Sequence, residues 1–162
     1  MKTMRFSILT ISDRASRGQR TDASGPALVE LIESKGFQVG RQDIVPDVAD
    51  AIQEKLMAWS DSDEADVILT TGGTGVAPRD ITPEATRAVV ERLTPGIDEA
   101  MRAASLKVTP HAMLSRGISG IRKRTLIINL PGSPKGAIEN VQVVLPVLEH
   151  AVKLLRDEDA GH

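Results

Sequence analysis

Length, composition and charge restrict this chain to a few classes of protein. It has 162 residues, a formal net charge of −2, 41% hydrophobic residues and 2% aromatic residues. This length and hydrophobic fraction fit one domain over residues 1–162 with a buried core. The weak charge and the few rings argue against a nucleic-acid-binding protein, and the absence of cysteine excludes disulfides, thiolate catalysis and cysteine-ligated metals.

No targeting or membrane segment is visible in the sequence. The first apolar run is interrupted by Asp13 and Arg14 too early for a signal peptide. No window approaches the roughly 20 apolar residues that cross a bilayer. We therefore expect a cytoplasmic protein, with a polar tail at about 156–162 that frays.

Strand and helix patterns alternate along the chain. Short apolar runs predict strands over residues 4–11, 37–45, 65–71 and 125–130. Helical spacing of apolar residues predicts helices from Asp22 to Lys35, over 46–59, 83–93 and 95–108, and from Pro134 onward with a kink or break near Pro146. Residues 111–124 show no clear period, although 118–124 fits a small hairpin that turns at Gly120. This order predicts an α/β fold of three layers, in which a mostly parallel sheet is flanked by helices.

Ligands of such sheets bind beyond the carboxyl ends of the strands, which selects four loops. These are residues 10–22, 44–50, 70–84 and 129–139. If the sheet is parallel, all four lie at one edge.

The third loop is rich in glycine but matches neither common nucleotide motif. Residues Gly72, Gly73, Thr74 and Gly75 are not followed by the Lys-Ser/Thr pair of a P-loop, and Pro78 stands where a dinucleotide fingerprint requires glycine. The backbone N–H groups of such a run can face an anion, with the following helix start adding its positive end. We predict Thr82 as the N-cap and Pro83 as the first residue of that helix. A tight turn without a ligand is the alternative.

The last loop repeats this arrangement. After Pro131 and Gly132, Ser133 is the expected N-cap, Pro134 the first helical residue, and Lys135 a cation near a bound phosphate. An ordinary helix cap is the alternative.

Charged residues in the first three loops are candidates for metal and phosphate binding. Asp47 and Asp80 on neighbouring loops can hold Mg²⁺, which prefers oxygen ligands and bridges carboxylates to phosphates; Asp47 as an N-cap is the alternative. Arg79 either pairs with Asp80 or contacts phosphate. Ser12 and Asp13 begin the first loop, for which a solvated basic loop is the alternative. The three histidines, His111, His150 and His162, have no ligand spacing and receive no role.

Three motifs in register carry a resemblance to a known family. The chain has TTGGTG at 70–75, PRDITPEA at 78–85 and LPGSPKGA at 130–137. In these it resembles the MogA/MoaB family of molybdenum-cofactor biosynthesis, the molybdopterin adenylyltransferases, whose domain also occurs in gephyrin. The resemblance spans nearly the whole chain and implies a sheet flanked by helices, in a homo-oligomer that is a trimer or a hexamer.

The resemblance also implies a reaction. The terminal phosphate of molybdopterin attacks the α-phosphate of Mg-ATP, which yields adenylylated molybdopterin and pyrophosphate. The functional aspartates of the family match Asp47 and Asp80, its glycine loop matches residues 72–75, and its LPG turn matches residues 131–133. A molybdenum-inserting enzyme is a further candidate partner.

Other functions fit the same residues. A molybdopterin carrier or scaffold without turnover would keep the site, and a nucleotide pyrophosphatase related to the competence-damage proteins would share the fold. A structural oligomer with an unused anion pocket is the third alternative. The residues before Pro78 are Val76 and Ala77, whereas some relatives carry a threonine hydroxyl there, so the resemblance predicts one substrate contact fewer in this chain.

Overall fold

Six strands form one mixed sheet in the computed structural model, which describes residues 3–158. They are β1 (Arg5–Ile11), β2 (Gln38–Val45), β3 (Val67–Thr71), β4 (Arg92–Leu93), β5 (Ser119–Arg122) and β6 (Thr125–Leu130). Their order is β2-β1-β3-β6-β5-β4. Strands β2, β1, β3 and β6 are parallel to one another. Strand β5 runs antiparallel to both of its neighbours, β6 and β4. The prediction of a mostly parallel sheet is confirmed.

Helices cover both faces of this sheet. They are α1 (Asp13–Ser16), α2 (Ser24–Ser34), α3 (Ala49–Asp61), α4 (Thr82–Val89), α5 (Pro95–Leu106) and α6 (Pro134–Leu155), with a 3₁₀ turn at Pro110–Leu114. Successive strand residues point to opposite faces, so Ile8 packs in the core with α2, α5 and α6, while Leu9 packs in the core with α3 and α4. The three predicted layers follow from these two cores.

The prediction of a hairpin turn at Gly120 is wrong. Gly120 lies inside β5, and the chain reverses at Lys123, whose φ is +52°. The glycine serves close packing instead, because a Cβ there would lie 2.8 Å from the carbonyl oxygen of Arg92 in the edge strand β4.

The helix predicted over 83–93 and the closing helix also differ from the predictions. The helix expected to reach Leu93 ends at Val89. The N–H of Val90 still donates to the carbonyl of Thr86, but the N–H of Glu91 donates to the carbonyl of Ile121 in β5 at 2.8 Å, which ends the helical pattern. The closing helix α6 continues through Pro146, so the predicted break is wrong, while a kink there stays a prediction.

The C-terminal tail is anchored at its first residue. Arg156 donates to the buried carboxylate of Asp66, which also accepts from Arg5 at 2.8–3.1 Å. The predicted fraying is therefore wrong for Arg156, while residues 159–162 of the predicted tail lie outside the described residues. No helix within residues 3–158 is both long and apolar enough to cross a membrane.

Candidate functional site

The four loops selected from the sequence meet at one edge of the sheet. Thr71 at the end of β3 is in register with Thr10 of β1 on one side and with Leu130 of β6 on the other. Val45 at the end of β2 pairs with Ile11. Because these strands are parallel and end in register, their loops open on the same side, as predicted.

Within residues 3–158, two cavities at this edge have several of the predicted site residues in their lining. The first, which we call the acidic cavity, has a volume of about 380 Å³. It is lined by predicted site residues, together with Asp22: Ser12, Asp47, Gly72, Gly73, Asp80, Gly132 and Ser133. The second, the α5/α6 cavity, has a volume of about 270 Å³ and lies between those helices, the 3₁₀ turn and the loops. Its lining includes Thr74, Gly75, Pro131 and Ser133, so Ser133 lines both cavities.

Asp13 and Asp47 tie the first loop to the second by a reciprocal pair of hydrogen bonds. The N–H of Asp13 donates to Asp47 Oδ2 at 2.9 Å, and the N–H of Asp47 donates to Asp13 Oδ1 at 3.0 Å. The N-cap of α3 is Val48, so the alternative of Asp47 as a helix cap is wrong. Ser12 caps the short α1 by accepting from Ala15 N–H at 3.1 Å.

Arg79 reaches across from the glycine loop to the first loop. Its Nε and terminal nitrogen each lie 2.9 Å from a different carboxylate oxygen of Asp13. The expected pair with Asp80 is therefore replaced by one with Asp13, because the first loop brings its carboxylate to the tip of the glycine loop. This guanidinium holds the pKa of Asp13 below its ordinary value.

Asp47 is the electrostatically stressed carboxylate of the acidic cavity. Burial raises its pKa, and the negative charges of Asp13 and Asp80 raise it further, whereas the hydrogen bond from Asp13 N–H and the charge of Arg79 lower it. Together, burial and repulsion outweigh the lowering effects, so the pKa of Asp47 lies above its ordinary value. A bound cation would reverse the balance by favouring the charged form.

Two glycines of the third loop have positive φ and close neighbours. Gly73 has a φ of +68°, and a Cβ there would lie 3.0 Å from Asp47 Oδ1 and would collide with the hydroxyl of Thr82. Gly72 has a φ of +105°, and a Cβ there would collide with the carbonyl oxygen of Ile11. The N-cap of α4 is Ile81 and its first residue is Thr82, so the predictions of Thr82 as the N-cap and of Pro83 as the first helical residue are wrong by one position. The hydroxyl of Thr82 donates to the Gly72 carbonyl at 2.9 Å.

Arg116 holds the rest of this loop in place. Its guanidinium donates to the carbonyls of Gly75 and Asp80, both at 2.7 Å, and to the carboxylate of Glu84 at 2.6 Å. Its backbone N–H donates to the Thr74 carbonyl at 2.8 Å. The carboxylate of Asp80 in turn accepts from Ala77 N–H at 3.0 Å. The segment after the 3₁₀ turn thus positions the loop that carries Asp80.

The last loop is built as predicted, except for its cation. Ser133 caps α6 by accepting from Gly136 N–H at 3.1 Å, and Pro134 is the first helical residue. The Lys135 side chain is 79% exposed and lies 3.9 Å from Glu139. Lys135, Arg79 and Asp13 line neither cavity.

The family model of the probable molybdopterin binding domain matches residues 7–150. The chain belongs to this family. Its fold is shared with solved structures: the molybdopterin biosynthesis enzyme MoaB from Thermus thermophilus is similar with a TM-score of 0.90 and 50% identity, over 96% of this chain and 98% of MoaB.

Curated relatives include both short and long proteins. The chain is 43% identical over 157 residues to the molybdopterin adenylyltransferase of Helicobacter pylori strain J99, which covers 96% of this chain and 89% of that enzyme. It is 45% identical to gephyrin of Dictyostelium discoideum over 161 residues, 93% of this chain. It spans only 22% of the length of gephyrin.

Sequence reasoning missed two carboxylates of this molybdopterin binding domain. Asp22 lines the acidic cavity, where it accepts from the Thr10 hydroxyl at 2.7 Å and from Gly25 N–H at 3.1 Å. Asp98 lines the α5/α6 cavity. In the sequence, Asp22 precedes a predicted helix and resembles a helix cap. Asp98 is one of several charged residues on an amphipathic helix. No neighbouring residues mark either carboxylate as part of a site.

Proposed function

We propose that this chain is a molybdopterin adenylyltransferase, which transfers AMP from ATP to the terminal phosphate of molybdopterin. The observation that carries the proposal is the pair of cavities that meet at Ser133, one of them lined by Asp47 and Asp80. A reaction that joins two anionic substrates needs two binding spaces with a shared boundary. The relative from Helicobacter pylori named above supports this activity.

The reaction requires alignment more than covalent chemistry. An oxygen of the molybdopterin phosphate forms a bond to the α-phosphorus of ATP, and the bond to the β-phosphate oxygen breaks, so that pyrophosphate leaves with the electron pair. The protein aligns the two phosphates and offsets the charge that they share. We assign this alignment to the backbone of residues 72–75 and to Ser12 and Ser133.

We propose that Asp47 and Asp80 hold Mg²⁺ together with the substrate phosphates. Carboxylate oxygens suit Mg²⁺, which usually takes one or two carboxylates and fills its other positions with phosphate and water. The two carboxylates would supply only part of the coordination, and the substrate phosphates would supply the rest. The cation would offset the charge of the phosphates, and the two aspartates would fix the position of the cation.

Arg79 and Lys135 have a secondary role in this proposal. Arg79 is paired with Asp13, and Lys135 is exposed. Because neither side chain lines a cavity, each would act on substrate phosphates only through its charge, from outside the cavities.

We also propose a homo-oligomer, either a trimer or a hexamer, that works in the cytoplasm and passes its product to a molybdenum-inserting enzyme. Exposed apolar side chains around the 3₁₀ turn support self-association, among them Val108 at 58%, Met113 at 70% and Leu114 at 51% exposure.

Release of pyrophosphate from Mg-ATP, with and without molybdopterin, tests the activity. We expect release that depends on molybdopterin and that is lost in Asp80→Ala and Asp47→Ala, with the fold preserved by circular dichroism. Asp50→Ala is the matched control, because Asp50 is an exposed carboxylate in the first turn of α3, outside both cavities.

Three results would contradict the proposal. Full activity in a folded Asp47→Ala or Asp80→Ala variant would refute the assignment of these aspartates as metal ligands. Binding of molybdopterin without release of pyrophosphate would show a carrier. ATP cleavage that ignores molybdopterin would show a pyrophosphatase.

A further inference from the structure

One side-chain hydrogen bond joins the glycine loop to the last loop. Thr71, the last residue of β3, is 1% exposed, and its hydroxyl donates to the carbonyl of Pro131 at 2.6 Å. The two residues lie 60 positions apart in the chain. Thr71 lines the acidic cavity and Pro131 lines the α5/α6 cavity, so this bond ties a wall of one cavity to a wall of the other.

The backbones of the two loops are in direct contact beside this bond. The N–H of Gly72 donates to the carbonyl of Leu130 at 3.1 Å. A Cβ on Gly132 would lie 3.3 Å from the Cα of Gly72, which is closer than an ordinary van der Waals contact. We call this contact of residues 71–72 with residues 130–132 the loop joint. Because the backbones touch there, a shift of one loop displaces the other.

The hydroxyl of Thr71 holds the loop joint and is not available to a substrate phosphate. A hydroxyl carries one proton, and Thr71 donates it to the Pro131 carbonyl. Phosphate oxygens are acceptors, so the hydroxyl could bind a phosphate only by releasing that carbonyl. Its function in the site is therefore one of position and not of substrate contact.

We propose that Thr71 is a positioning residue, which fixes the distance between the two loops and thereby aligns the two substrate phosphates. This inference rests on the proposed function, in which the two substrates occupy the two cavities. Reacting groups must be held in line, and a displacement of about 1 Å can cost about 100-fold in rate. Each substrate keeps the contacts of its own cavity when the loops shift, so the loss falls on kcat and not on KM.

The same pair of strands carries a matching hydrogen bond at its opposite end. Thr125, the first residue of β6, is fully buried, and its hydroxyl donates to the carbonyl of Ala65, just before β3, at 2.8 Å. Thr125 lines neither cavity. Loss of this hydroxyl removes a similar contribution to stability far from the loops, so Thr125→Val is the matched control for Thr71→Val.

Steady-state release of pyrophosphate and thermal melts of the two variants test the role of Thr71. Each variant should lower the melting temperature by about 3–10 °C, since each loses one buried hydrogen bond. In Thr71→Val we expect kcat to fall by about 10- to 100-fold, with KM for ATP and for molybdopterin changed by less than about threefold. Thr125→Val should keep the wild-type kcat, and Thr71→Ser, which restores the hydroxyl, should recover it.

Hydrogen exchange measures the loop joint without any substrate. The amide of Gly72 lies in the joint, whereas the amide of Leu126, which donates to the carbonyl of Asp66 at 3.0 Å, lies at the opposite end of the strand pair. Exchange at Gly72 should be about tenfold faster in Thr71→Val and unchanged in Thr125→Val. Exchange at Leu126 should show the reverse.

Several results would overturn the role of Thr71. They are a normal kcat in folded Thr71→Val, an equal loss of kcat in Thr125→Val, and a loss confined to the KM of one substrate. If Thr71→Val does not fold, Gly132→Ala tests the same joint, because its Cβ would press on the backbone of Gly72 while Thr71 is kept. A normal kcat in Gly132→Ala would also overturn the role of Thr71.

Failure of this role and failure of the proposed function are distinguishable. Pyrophosphate release from the wild-type protein that does not depend on molybdopterin would refute the transferase activity. Release that depends on molybdopterin, with the same kcat in Thr71→Val and the wild type, would refute the role of Thr71 alone. Unchanged exchange at Gly72 in Thr71→Val would refute the loop joint whatever the activity.

Discussion

Replacing Arg116 tests whether the glycine loop must be held in place for the reaction. Arg116→Ala removes hydrogen bonds to the carbonyls of Gly75 and Asp80 and to the carboxylate of Glu84. Because the guanidinium is charged, each such bond would contribute about 1.5–3 kcal/mol if it were fully shielded from water. The Arg116 side chain is 37% exposed, so water competes for these hydrogen bonds and lowers their net contribution to stability. We expect the free energy of unfolding to fall by about 1–2 kcal/mol.

The effect on the rate should be larger than the effect on stability. Arg116 fixes the backbone on both sides of the turn that presents Asp80, and a displacement of about 1 Å at a reacting group can cost about 100-fold. Steady-state release of pyrophosphate measures this loss, and a thermal melt measures the stability. Arg116→Lys keeps the charge but not the planar fork, so it should recover only part of the rate.

Glu84→Gln separates the two roles of the guanidinium. It removes an exposed ion pair, which contributes at most about 1 kcal/mol, but it leaves the contacts of Arg116 with the two carbonyls. We expect a nearly normal rate. A normal rate in Arg116→Ala, or an equal loss in Glu84→Gln, would refute the reasoning.

Two further predictions concern the acidic cavity. Gly73→Ala should reduce both stability and rate, because it adds a clash with Thr82 and Asp47 to a left-handed backbone cost of about 1–2 kcal/mol. Gly18→Ala is the control, since Gly18 has a φ of +72° and a Cβ there would have no atom within 4 Å. A thermal melt of Gly18→Ala should show the backbone cost alone, and equal losses in the two variants would contradict the packing argument. Because the folded pKa of Asp47 is raised, its ionisation destabilises the fold progressively as the pH rises above the ordinary pKa of Asp, and fully once the pH exceeds the folded pKa. Asp47→Asn should therefore raise the melting temperature at pH 7 and abolish activity, and the stability gain should disappear below about pH 3.9, the ordinary pKa of Asp. A lower melting temperature at pH 7 would contradict this.

The sequence alone determined the strands that form the centre of the sheet and the loops at their ends. The apolar runs at β1, β3 and β6 admit few alternatives, because strands covered on both faces must be apolar throughout. Parallel strands then place their loops at one edge, so Asp47 and Asp80 were assigned to neighbouring loops from chain order. Local caps such as Ser133 were also readable, because a cap depends on residues within one turn.

Only the tertiary structure decided which side chains pair across these loops. Arg79 meets Asp13 across 66 positions of the chain, and Arg116 reaches Gly75 across 41; spacing in the sequence carries no information on such contacts. Gly120 read as a turn because the close approach of β4 that requires it comes from a strand of two residues. The burial of Asp98 depends on the packing of α5 against β5 and α6, which a single amphipathic helix does not reveal. Chain-local patterns follow from backbone geometry, whereas the charges and depth of a site are set by distant segments that fold against it.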